Sequence, residues 1–109
     1  MSGQVDLVAI LTPVPGKIDE LIQGLAVLNK HVEDNEKDVL RYELFKQTNG
    51  PDGAECLVYI EVYKNKEALD AHRQSEVYAQ VQKVGAETKV LAAPPDIKIL
   101  EHVGGFGSR

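Results

Sequence analysis

The sequence predicts an α+β domain with the element order β-α-β-β-α-β, the ferredoxin-like arrangement in which helices cover one face of a four-stranded antiparallel sheet. Three observations predict it. An apolar, branched run opens the chain, a long stripe of apolar residues at helical spacing follows, and two further strand-like runs flank a glycine-rich turn ahead of a second, broken helical segment.

The first run, "VDLVAIL" from Val5 to Leu11, is apolar at nearly every position and reads as a strand covered on both faces. "TPVPG" ends it, because two prolines and a glycine cannot continue a strand. From Lys17 the apolar residues Ile18, Leu21, Ile22, Leu25, Leu28 and Val32 step by threes and fours, which predicts a long amphipathic helix. "EDNEKD" closes that helix in a polar turn around Asn35. In "VLRYELFKQ", Leu40, Tyr42 and Leu44 alternate with Arg41 and Glu43, with Phe45 on the polar side, as in a half-buried strand. "TNGPDG" suits a hairpin connection, and "AECLVYIEVY" is the next strand, apolar on both parities apart from Glu55 and Glu61. Asn65 and Ser75 are placed to cap two consecutive helical pieces, and Gly85 is expected to end the second. "LAAPPD" is a break and "IKILEHV" the last strand. The glycine-rich tail, 104–109, is expected to be loose. Residues 1–109 are read as one domain with its core over about 5–103.

Composition narrows the function. A formal charge of −5, with 12 dispersed basic residues, argues against nucleic acid, which needs clustered Lys and Arg. No apolar run is long enough to span a membrane, and no basic leader precedes the first strand, so the expected location is cytoplasmic. The single cysteine, Cys56, excludes an internal disulfide and reads as a small buried hydrophobe. Walker, GxGxxG and CxxC signatures are absent, and "GGFG" has no helix after it to make a phosphate cradle. His31, His72 and His102 lack the spacing of helical metal pairs, so no metal site is expected.

Two features point to a pocket. His72 shares a helical face with Ala68 and Leu69, an apolar face that would point inward. An imidazole there is either a satisfied core histidine or a general base. Glu61 sits in an otherwise apolar strand, so if it faces inward it needs a partner such as His72, Arg41 or Arg73. Tyr42, Tyr59, Tyr63 and Tyr78 serve packing or, in an apolar pocket, hydrogen bonds to a substrate oxygen. Finally, strands apolar on both parities leave one sheet face without helices to cover it. A face-to-face homodimer would cover that face; the alternative is an irregular monomer with a slightly apolar surface.

"VPGKIDELIQGLAVL", "NEKDVLRYELFKQ" and "LVYIEVYKNKEALDAHRQSEVYAQ" together resemble the antibiotic biosynthesis monooxygenase (ABM) domain over roughly Val5 to Val103. The third segment is the most specific, with Glu61, Tyr63, the Asn65 cap, and His72, Ser75 and Tyr78 in "AHRQSEVY". The resemblance implies a dimeric α+β barrel with a pocket between sheet and helices in each subunit. It also implies oxygenation of a small phenolic, quinol-like or enolisable metabolite by dioxygen without metal, flavin or haem. His72 would then be the base, Glu61 its orienter, and Tyr42, Tyr59 and Tyr78 the substrate contacts, with Asn35 a further candidate. The chain departs from the haem-degrading branch, having no Trp and Ala9 where that branch has Asn on the first strand. His72 falls at the Trp position and Gln82 at the ligand position, which argues against haem degradation. The family also includes an isomerase, so proton transfer without oxygen and simple ligand binding remain alternative readings.

Overall fold

Residues 3–109 are described by a computed structural model. The elements are β1 (Val5–Leu11), α1 (Ile18–Asn35), β2 (Val39–Lys46), β3 (Leu57–Tyr63), α2 (Lys66–Arg73), α3 (Glu76–Thr88) and β4 (Asp96–Leu100), with one 3-10 turn, Pro51–Gly53, between β2 and β3. The strands pair antiparallel in the order β2-β3-β1-β4. This is the expected ferredoxin-like α+β fold: β3 lies between β1 and β2, and α1 carries the chain across it.

Alternation along the strands decides which face is buried. Leu7, Ala9 and Leu11 of β1 and Leu57, Tyr59, Glu61 and Tyr63 of β3 are buried on the helix side. Val8, Ile10, Val58, Ile60 and Val62 point to the other side and are only half-buried. On α1 the buried stripe is Ile18, Leu21, Leu25, Leu28 and Val32, and its first three residues join the core with the inner sheet face. Asp19 and Glu20 in its first turn favour the positive end of the helix dipole in place of a side-chain cap. Asn65 Oδ1 accepts from the Ala68 N–H at 2.8 Å and Ser75 Oγ from the Tyr78 N–H at 3.1 Å, so α2 and α3 begin at the two expected caps.

Four details differ from the sequence reading. The alternation of β2 breaks at Leu40, the extra residue of a bulge between Val39 and Arg41, and Leu40 is 57% exposed. Gly85 lies inside α3; its carbonyl accepts from the Lys89 N–H, and Lys89 itself adopts the left-handed conformation (φ 53°) that ends the helix. "LAAPPD" is more than a break, since Val14 and Ala92 N–H groups donate to Val90 and Thr12 carbonyls and tie this segment to the end of β1. The last strand stops at Leu100, which pairs with Asp6 one residue from the start of β1, so 102–103 run past the end of that strand. The tail 104–109 has no regular structure and is exposed. No helix among the described residues is long and apolar enough to cross a membrane.

Candidate active site

A cavity of about 640 Å³ lies between the inner sheet face and the helices, within the size range of small-molecule sites. Its aliphatic walls come from β1 and α1, including Leu7, Leu21 and Leu25, and the segment around Pro94 and Pro95 closes another side. The polar groups gather elsewhere on its wall: Tyr42, Tyr59, Glu61, His72, Arg73 and Tyr78.

His72 stands on the last turn of α2, on the same face as Leu69, and is 2% exposed. Both ends of this short helix are fixed, by the Asn65 cap and by the Ser75 N–H donating to the His72 carbonyl. The ring is surrounded by Tyr42, Tyr63 and Tyr78, with centroids 5.2, 5.7 and 5.1 Å away. Its Nδ1 is 2.8 Å from Glu36 Oε1. A carboxylate accepts, so Nδ1 carries the proton and Nε2 keeps a lone pair, 3.5 Å from the Tyr42 hydroxyl. Burial pulls His72 below the usual imidazole range, and the bond and charge of Glu36 pull it partly back. His72 is thus a neutral base at neutral pH, of defined tautomer.

The expected Glu61–His72 pair is not formed. Glu61 faces inward as β3 alternation requires, but Tyr63, two residues on and on the same face, donates its hydroxyl to Glu61 Oε1. Glu36, in the turn after α1, holds His72 instead. Burial raises Glu61 above the usual carboxylate range, opposed by the Tyr63 bond and the Arg73 charge. Burial likewise pushes Tyr42 and Tyr59 far up, so both stay neutral phenols able to donate. Tyr59 donates to Asn29 Oδ1 and stacks at 4.7 Å on Tyr42. Tyr78 is raised more modestly, again by burial.

Asn35 is not brought to the cavity. It is exposed at the end of α1, where its amide donates to the His31 carbonyl at 3.2 Å and faces His31 Nδ1 at 3.3 Å. Two residues that the sequence does not single out belong to the site, Glu36 and Asn29, while Arg73, an expected partner of Glu61, lies on the cavity wall with its charge acting on that carboxyl. The signal for Glu36 was spacing, because it continues the stripe Leu25, Leu28, Val32 by one further step of four. Cys56 is half-buried and its thiol donates to Gln47 Oε1 at 3.1 Å. Among the described residues no group of three or more His, Cys, Asp or Glu side chains converges as a metal site.

The ferredoxin-like sheet and its helices thus enclose an aromatic-lined cavity with a buried, carboxylate-held histidine on its wall. The antibiotic biosynthesis monooxygenase family profile matches residues 5–84, and the chain belongs to that family. Among solved structures, a protein of Caulobacter crescentus CB15, described there as a proposed antibiotic biosynthesis monooxygenase, is 26% identical with a TM-score of 0.79, over 94% of this chain and 92% of that one. Rv0793 of Mycobacterium tuberculosis is 26% identical with a TM-score of 0.77, over 95% and 99%. PA3566 of Pseudomonas aeruginosa, 23% identical with a TM-score of 0.79 over 95% and 98%, shares the fold. No curated protein sequence matches the chain. Family and neighbours support a general monooxygenase-like role.

Proposed function

We propose that the protein is a cofactor-independent monooxygenase that oxidises a small phenolic, quinol-like or enolisable metabolite with dioxygen. The observation that carries this reading is His72: a neutral imidazole, its Nδ1 held by Glu36, on the wall of a largely apolar cavity. His72 Nε2 takes the hydroxyl proton of the bound phenol or enol. The resulting anion gives one electron to dioxygen, and the substrate radical and superoxide join in a new C–O bond. The peroxide takes a proton back from His72. Loss of the remaining hydrogen on that carbon then breaks the O–O bond and releases water. In sum, one methylene and one dioxygen become one carbonyl and one water. Tyr42 supplies a neutral donor for a substrate oxygen, Tyr59, its proton held by Asn29, offers its oxygen as an acceptor, and the aliphatic walls keep bulk water from the anion.

The second part of the reading is a homodimer. The half-buried strip Val8, Ile10, Val58, Ile60 and Val62 has no helix over it, and a second copy packed face to face would cover it. An oxygen-electrode assay with a panel of anthrones and quinols, wild type beside His72→Ala, tests the chemistry. Uptake lost with His72 supports it. Full uptake by His72→Ala overturns the assignment of the base, and no uptake with any member shifts the reading to proton transfer without oxygen.

A further inference from the structure

The carboxylate that holds His72 has a second histidine on its other side. Glu36 Oε1 accepts from His72 Nδ1 at 2.8 Å, and Glu36 Oε2 lies 3.1 Å from His31 Nε2. Oε2 is buried, and it has no hydrogen-bond partner among the described residues, His31 being near enough for an ion pair but not aligned for a hydrogen bond. Leaving a buried acceptor unpaired is costly, and a small rotation of the His31 ring would satisfy it. The Asn35 amide faces His31 Nδ1, which in the neutral ring leaves the proton on Nε2, the nitrogen nearest Glu36. His31 is the more open of the two rings, with a quarter of its side chain exposed (25%), against 3% for His72.

We propose that His31 is a positioning residue of the pocket base: the two rings compete for one carboxylate, so the state of His31, reached from solvent, is transmitted through Glu36 to His72. This rests on His72 being the base but not on which substrate it serves. A protonated His31 draws Glu36 into an ion pair and adds a positive charge behind His72, both of which disfavour a second imidazolium. His31 thereby keeps His72 unprotonated, and available, further into mild acid. The other charged or titratable groups around the trio are Glu33, Asp34 and Lys37 beside it at the end of α1, Arg41 and Tyr42 from β2, Glu61 and Tyr63 from β3, Arg73 on α2 and Tyr78 on α3. Of these, Arg73 acts on His72 in the same direction as His31.

The test needs no substrate. Ring-nitrogen NMR of histidine-labelled protein is followed across pH in wild type, His31→Gln and Glu36→Gln, with the exposed His102 as internal reference. The expected wild-type His72 curve has two steps, one coincident with the protonation of His31. In His31→Gln it becomes a single step moved up by about one pH unit, and in Glu36→Gln the Nδ1–H tautomer preference is lost. A single-step His72 curve in wild type, insensitive to His31, overturns the proposal even if neither variant folds. Coupling without oxygen uptake would keep this inference and remove the proposed oxygenation; uptake without coupling would do the reverse.

Discussion

The two faces of the sheet are built from the same strands and read almost equally apolar, yet they end in different situations. On the inner face, Leu57, Tyr59, Glu61 and Tyr63 of β3 are buried under helices and around a cavity. On the outer face, Val58, Ile60 and Val62 are only half-buried, on the side away from the described helices. What differs is the few groups that are not hydrocarbon. The inner face tolerates a carboxylate and several phenols because each finds a hydrogen-bond partner within the layer, as Glu61 finds Tyr63 and Tyr59 finds Asn29. The comparison teaches that apolarity alone does not tell the two faces apart, and that buried polar residues mark the one that lines the cavity.

The sharpest way to break this division is to remove the imidazole that faces the inner side. His72→Ala should lower turnover by on the order of a hundredfold to ten-thousandfold, measured as oxygen uptake, while an outer-face change such as Val58→Ala should leave kcat unaltered. Next comes packing. Leu57→Ala, 1% exposed in the core, should cost about 2–5 kcal/mol in urea unfolding. Ile60→Ala should cost much less in a dilute monomer, and a cost that grows with protein concentration would show that a second copy covers the outer face. Glu36→Gln removes a charge-assisted bond worth about 1.5–3 kcal/mol, so turnover should fall roughly tenfold to a hundredfold, with KM changing less than kcat.

The smallest effects are in the pH dependence of stability, and the two inner-face groups have opposite signs. The folded-state value of His72 is depressed below 6.5, so its contribution is present above 6.5 and is lost as pH falls toward the folded value. The folded-state value of Glu61 is raised above 4.5, so its contribution is present in acid and is lost as pH climbs from about 4.5. Unfolding midpoints should therefore fall less steeply below pH 6.5 in His72→Gln, and stand higher at pH 7 in Glu61→Gln, than in wild type. Equal slopes in all three would mean that neither group is desolvated as described.

Most of the fold was legible because its signals are local. The α1 stripe, the Asn65 and Ser75 caps and the strand alternation each lie within a few residues. The misreadings were of another kind. Leu40 sits at a bulge defined by its partner strand, and Gly85 could end a helix but did not, because Lys89 took the left-handed turn instead. In the site, His72 and the tyrosines carried their own signal, a polar group on an apolar face. Their partners did not: Glu36 and His72 are 36 residues apart, and only the crossing of α1 and α2 over the sheet joins them. Glu61 was the nearer carboxylate in sequence and Tyr63 had already engaged it.

The outer face has a border as well as a centre. Arg41 pairs with Glu43 on β2, and Lys98 with Asp96 at 3.1 Å on β4. Both pairs lie on the edge strands, and their registers opposite Val62, Ile60, Val8 and Ile10 set them on the same side as the apolar strip. Charged edges discourage a third chain from adding itself strand to strand. A chain that sticks to itself through the apolar strip would thus be steered toward a closed pair and away from open-ended polymerisation by the charged border around it.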